Sequence, residues 1–208
     1  MIDKKRQISI TNKVTTIFKN NIKTIIFLIS SFFLVFIFSQ YYLYQKENKV
    51  LELSILFDQA KSNINSNDFE ETMNSIAKEN GIYGILASLE LIKKTLDNKD
   101  YNYAYNQYLI LLKDNESKSI YNSIIALHGA YNLIDYVSSD NISNLLIFVD
   151  ESHLSFIGYR DEVDYLLSIK NNDFTRREEL SKKILNNGNI SETIKERVRK
   201  LNEFEKYQ

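Results

Sequence analysis

From Thr24 to Gln45 the chain runs TIIFLISSFFLVFIFSQYYLYQ, 22 residues without one charged side chain. As a helix, such a run is about 33 Å long and matches the hydrocarbon thickness of a bilayer. Its polar members are Thr24, Ser30, Ser31, Ser39, Gln40 and Gln45, and Tyr41, Tyr42 and Tyr44 gather at one end, where amphipathic rings favour a membrane interface. A cleaved signal peptide has a shorter apolar core of roughly 7–15 residues and a small-x-small cleavage site. Here the run is longer and closes on Gln40-Tyr41-Tyr42-Leu43-Tyr44. A buried core helix seldom needs so long an apolar run with no polar face. The pattern therefore predicts a single N-terminal transmembrane helix over residues 24–45.

Downstream the pattern changes to amphipathic helices. Val50, Leu51, Leu53, Ile55, Leu56, Phe57 and Ala60 predict a helix leaving the span and reaching about Ser62. Ile82, Ile85, Leu86, Leu89, Ile92 and Leu96 occupy one face of a helix over 81–96, and Tyr101, Ala104, Tyr105, Tyr108, Leu111 and Leu112 do the same after Asp100. The loop between these two is too short for anything but an antiparallel hairpin. The run from Ile120 to Ile134 is apolar on most sides and is expected to be the central helix. Shorter runs follow over 142–149, 154–169 and 174–185, and a last narrow stripe (Ile190, Ile194, Val198, Leu201, Phe204) lies amid charge, as in a terminal cap.

The helices are punctuated by a recurring junction. Asn67-Asp68-Phe69, Lys99-Asp100-Tyr101 and Asn172-Asp173-Phe174 each set Asp before an aromatic at the start of a helical run, with Ser139-Asp140-Asn141 as a weaker copy. Asp at an N-cap accepts hydrogen bonds from the first-turn N–H groups and suits the positive end of the helix dipole. Glu71, three residues beyond Asp68, completes a capping box there. With 5 glycines and no proline in the whole chain, Asn, Asp and Ser must make the turns.

Charge orients the molecule. Residues 1–23 hold Lys4, Lys5, Arg6, Lys13, Lys19 and Lys23 against Asp3, a net +5. Residues 1–20 show no strong apolar periodicity and read as a short, partly disordered arm. Basic flanks stay in the cytoplasm, so residues 46–208 are expected across the membrane. Of 26 basic and 27 acidic residues in the chain, that exported part keeps 20 and 26, or −6. Such a balance disfavours nucleic acid as a partner. There is no cysteine, hence no disulfide framework and no thiolate metal site.

No constellation of catalytic or metal-binding residues stands out. His128 and His153 are the only histidines; His128 lacks the converging ligands a metal requires and reads as a core or groove residue, and His153 as a helix flank. Glu70-Glu71, Glu178-Glu179 and the Asp161, Glu162, Asp164 group read as solvated helix faces paired with neighbouring Arg and Lys. Glycine-loop, HExxH and GxSxG motifs are absent. The reading is a non-enzyme with no catalytic residue, cofactor or metal. Tyr101, Tyr105 and Tyr108 share a core-facing stripe; Tyr103, off that stripe, and Lys93 are the candidate partner-binding surface.

Helical hairpins at intervals of 32–40 residues with an Asp-aromatic junction resemble tetratricopeptide repeats. Leu91, Asp100, Tyr101, Ala104 and Tyr108 match that motif, whereas Ile92 replaces a small residue, Lys99 the turn Gly, and the motif's Trp and Pro are missing. The basic arm, the span and the repeat-like domain together resemble the bacterial YfgM-like family of ancillary Sec translocon subunits. The stretches Tyr83–Leu91 and Tyr165–Asp173 are similar to that family's first hairpin and late turn. The resemblance implies an all-α protein of the inner membrane, its tetratricopeptide-like domain (residues 46–208) in the periplasm, joining the translocon to periplasmic chaperones. The alternative is a membrane-tethered, oligomeric scaffold of envelope assembly or cell division.

Overall fold

The computed structural model describes residues 2–63, 68–114 and 119–205, with backbone alone over 2–20 and at 25, 114, 119 and 205. Asn67, in the first Asp junction, falls outside them. Among the described residues the regular structure is entirely helical, in nine helices forming two compact units, Met1–Leu56 and Phe57–Gln208.

The first unit is helix α1, which spans Ile2–Ser62 and runs on into the second unit. No glycine or proline interrupts it, so helix propagation meets no breaker. Its backbone leaves helical geometry at Asn21 alone (φ −116°, ψ 15°). Residues 2–20, expected to be partly disordered, are thus helical up to that break. Beyond it, Asn21–Ser62 is long and apolar enough to cross a membrane, and nothing in the fold covers its apolar window. Phe27, Phe32 and Phe38 expose 70–72% of their surface.

The second unit begins at Phe57 and Ala60, both buried, and adds α2 (Asp68–Ala77), α3 (Ile82–Asp97), α4 (Tyr101–Asp114), α5 (Ser119–Leu133), α6 (Ser139–Leu146), α7 (Leu154–Lys170), α8 (Phe174–Asn186) and α9 (Glu192–Glu205). The well-packed pairs among α2–α9 all join helices one or two apart in chain order: α2 to α3, α3 to α4, α4 to α5, α5 to α6, α7 to α8 and α8 to α9, with α4 to α6, α5 to α7 and α7 to α9. Two cores result. Ile92, Tyr108, Leu112, Ile125, Leu133, Leu145 and Val163 belong to the larger; Tyr165, Leu180, Ile184, Ile194 and Val198 to a smaller one among α7, α8 and α9.

Two hairpins, α3–α4 and α7–α8, are closed by the same device. After α3, Asn98, Lys99 and Asp100 donate their N–H groups to the carbonyls of Lys94, Leu96 and Thr95; after α7, Asn171, Asn172 and Asp173 donate to Leu167, Ile169 and Ser168. In both, the middle residue is left-handed (Lys99 φ 63°, Asn172 φ 54°), which defines a Schellman close. The next residue then caps the following helix: Asp100 Oδ1 accepts from Tyr103 N at 3.3 Å and Asp173 Oδ1 from Arg176 N at 3.0 Å. One aspartate thus ends one helix with its N–H and starts the next with its carboxylate.

The other two Asp junctions differ. Asp68 is itself the first residue of α2. At α6 the cap is Ser138, whose Oγ accepts from Asn141 N at 3.2 Å, while Asp140 lies in the first turn. Ser138 sits one residue ahead of the helix in extended conformation, where a hydroxyl reaches back to the third N–H. In the first turn of α3, a Cβ at Gly84 would lie 1.9 Å from the carbonyl oxygen of Glu79 in the preceding loop, so this position admits glycine alone.

Candidate interaction face

The central helix α5 is packed by α4, α6 and α7, yet one row stays in the open. Ile120 and Ile124 are 40% and 48% exposed, and His128 and Asn132 continue the row at the same four-residue spacing. A row at i, i+4, i+8 and i+12 is a single stripe of a helix. The other sides of α5 bury Ser123, Ile125, Ala126, Ala130 and Leu133. Sequence reading placed α5 correctly but missed this strip, because an isoleucine at the surface looks the same in sequence as one in the core.

Polar contacts border the strip on both sides. Toward α4, the buried Tyr108 hydroxyl and His128 Nδ1 share a hydrogen bond of 2.7 Å. Burial raises the phenol's pKa, and the packing around the ring holds the imidazole below its ordinary value. His128 is therefore neutral at pH 7. Among the described residues no group of three His, Cys, Asp or Glu could hold a metal.

Toward α7, Tyr131 donates to Glu162 Oε2 at 2.6 Å. Arg197 of α9 grips the same carboxylate with two bonds, Nε to Oε1 at 2.6 Å and Nη2 to Oε2 at 2.5 Å. Burial and the carboxylate together push the Tyr131 phenol up, while the bonds to Glu162 push the Arg197 guanidinium up. Next to it, Asp161 accepts from Lys183 of α8 at 2.7 Å, and its Oδ2 is enclosed without a hydrogen-bond partner.

This corrects the sequence reading of the acidic group. Asp161 and Glu162 are 4% and 2% exposed rather than solvated. The cause is that α7 packs against α5, α8 and α9 at once, leaving it no wet face at this level. Asp164 is half-buried, and that burial raises its pKa against the pull of Arg160 and Arg176. Other pairs do lie at the surface as expected: Arg176–Glu179 at 3.0 Å and Lys182–Glu178 at 2.6 Å. His153 flanks the start of α7 without a side-chain cap bond and lies 3.8 Å from Asp150.

Lys93 on α3 and Tyr103 on α4 are both exposed, Tyr103 by 55%. Tyr105 and Tyr108 are buried as their stripe requires, and Tyr101 is half-buried in a parallel stack on Tyr136, ring centroids 3.8 Å apart. Beside the start of α7 an open cleft of about 390 Å³ is bordered by Leu154, Ser155, Gly158, Tyr159, Ile190 and Ile194. Its lining holds the Ser155, Tyr159 and Ser191 hydroxyls, the Asn189 amide and aliphatic groups, without a histidine, a carboxylate or a lysine.

No protein-family model, curated protein or solved structure matches this chain.

Proposed function

We propose that the chain is a non-enzymatic, membrane-anchored protein-interaction module: residues 24–45 span the inner membrane, the basic arm stays inside, and the second unit is a divergent tetratricopeptide-like array facing the periplasm. The observation that carries the reading is the shared junction of α3–α4 and α7–α8, with matching hydrogen bonds 73 residues apart (Asp173 less Asp100). Packing between helices one or two apart agrees with it, since repeat proteins are built from nearest-neighbour contacts. The partner-binding strip is Ile120, Ile124, His128 and Asn132, an apolar end and a hydrogen-bonding end on one helix, with Lys93 and Tyr103 on neighbouring helices as further contacts.

The resemblance to YfgM-like proteins makes the Sec translocon and periplasmic chaperones the partners to test. Tethering such a strip at the membrane raises its effective concentration near a membrane partner, so a modest contact area suffices. Affinity purification of the full chain from native membranes after crosslinking recovers translocon subunits or chaperones on this reading. Recovery of division or envelope-assembly components instead assigns the scaffold role, and an Ile124→Asp chain that still recovers its partners displaces the strip as the contact.

A further inference from the structure

We propose that α1 joins two copies of this chain in a parallel helix pair whose seam runs from the span into the water beyond it. The inference rests on residues 24–45 being a membrane span. Counted in sevens, Phe27, Leu34, Tyr41, Asn48 and Ile55 fall at one seam position, a, and Ser30, Ile37, Tyr44 and Leu51 at the other, d. All nine are exposed, on the part of α1 beyond its break at Asn21. Beyond the span, where apolar side chains face water, Leu51 and Ile55 remain 59% and 49% exposed. Between Lys46 and Ile55 the charged residues, Lys46, Glu47, Lys49 and Glu52, all fall off the seam, and Asp58 at the next d position ends it. Val50 lies, by spacing, on the face that leads to buried Phe57.

The residue types at the seam specify its occupant. Beyond the span, leucine at d (Leu51) and isoleucine at a (Ile55) favour two strands, and the single asparagine at a, Asn48, pairs best with the same asparagine of a parallel partner, fixing register. Copies inserted in the same direction are parallel of necessity. The large seam side chains expose 49–70% of their surface each, which, at about 200 Å² for a fully exposed aromatic or branched residue, offers on the order of 800 Å² per copy. A standard specific interface buries about that much per partner. Within the bilayer the gain comes from close packing, which the small Ser30 permits; in the water it comes from burying Leu51 and Ile55. One contact opposes the pair, because Glu47 of one helix meets Glu52 of the other across the seam.

The chain has no cysteine, so single cysteines placed in turn at 46–56 of the full-length protein in native membranes report the seam by oxidative crosslinking. Maxima at Asn48→Cys, Leu51→Cys and Ile55→Cys, with minima at Lys49→Cys and Leu53→Cys, are expected. In detergent micelles, Glu52→Lys turns the opposing contact into an attractive one and is expected to tighten association about fivefold. Chains retained in membranes after carbonate extraction but crosslinking without those maxima overturn the pair alone. Chains released by carbonate overturn the span and the pair with it.

Discussion

Lys99 holds a left-handed backbone at φ 63°, a geometry that costs an L-residue about 1 kcal/mol and glycine nearly nothing. Lys99→Gly is therefore expected to stabilise the second unit by about 0.5–1 kcal/mol in urea unfolding of the detergent-solubilised chain. Asn172→Gly should gain less, since asparagine tolerates this region. Asp100→Ala and Asp173→Ala should each lose about 1 kcal/mol with their caps. These two aspartates were legible in the sequence because capping is local chemistry. Ser138 was passed over for Asp140, since both are good cap residues and only the backbone decides which one precedes the helix. His128 sets a different expectation. Its folded pKa lies below the unfolded value of about 6.5, so its stabilising contribution is complete above that pH. As pH falls through the window beneath, the unfolded chain takes up a proton the folded chain resists, and stability declines. His128→Gln should flatten that part of the stability–pH profile; an unchanged slope assigns it to other groups.

Helix boundaries were legible for a reason that does not extend to their faces. Apolar spacing marks where α3, α4, α7 and α8 start and stop, but the number of helices that crowd around one is set by tertiary packing. Charge on α7 therefore looked solvated, and the exposed row on α5 looked buried. The Tyr131–Glu162–Arg197 contact tests the corrected picture, since it ties α9 to α5 and α7 through a carboxylate that is 2% exposed. Arg197→Ala strands that charge. Its cost is expected at about 2–3 kcal/mol, below the range for a fully buried pair because the arginine side chain is 44% exposed. Tyr131→Phe removes one hydrogen bond and should cost about 1–2 kcal/mol. Pairing Arg197→Ala with Glu162→Leu should restore much of the loss, because no buried charge is then left alone. A double-mutant cycle showing no coupling between 162 and 197 would remove this contact from the account of how α9 is held.

Across the whole chain, the interaction reading depends on the second unit lying outside the cytoplasm. Only the first unit bears on that: an apolar helix with no cover, six basic residues and one acidic residue before it, and a balanced Lys46, Glu47, Lys49 and Glu52 after it. Basic residues resist translocation, so the arm should remain inside and pull residues 46–208 across. A reporter enzyme active only outside the cytoplasm, fused after Gln208, should be active, and the same reporter fused before Met1 inactive. Replacing Lys4, Lys5, Arg6, Lys13, Lys19 and Lys23 together with glutamine removes the asymmetry without touching the second unit. The active fraction of the C-terminal fusion should then fall as molecules insert in both directions. An undiminished fraction means that the arm does not set orientation. An inactive C-terminal reporter on the native sequence leaves the second unit in the cytoplasm, where periplasmic chaperones could not reach the α5 strip, and the partners would have to be sought there.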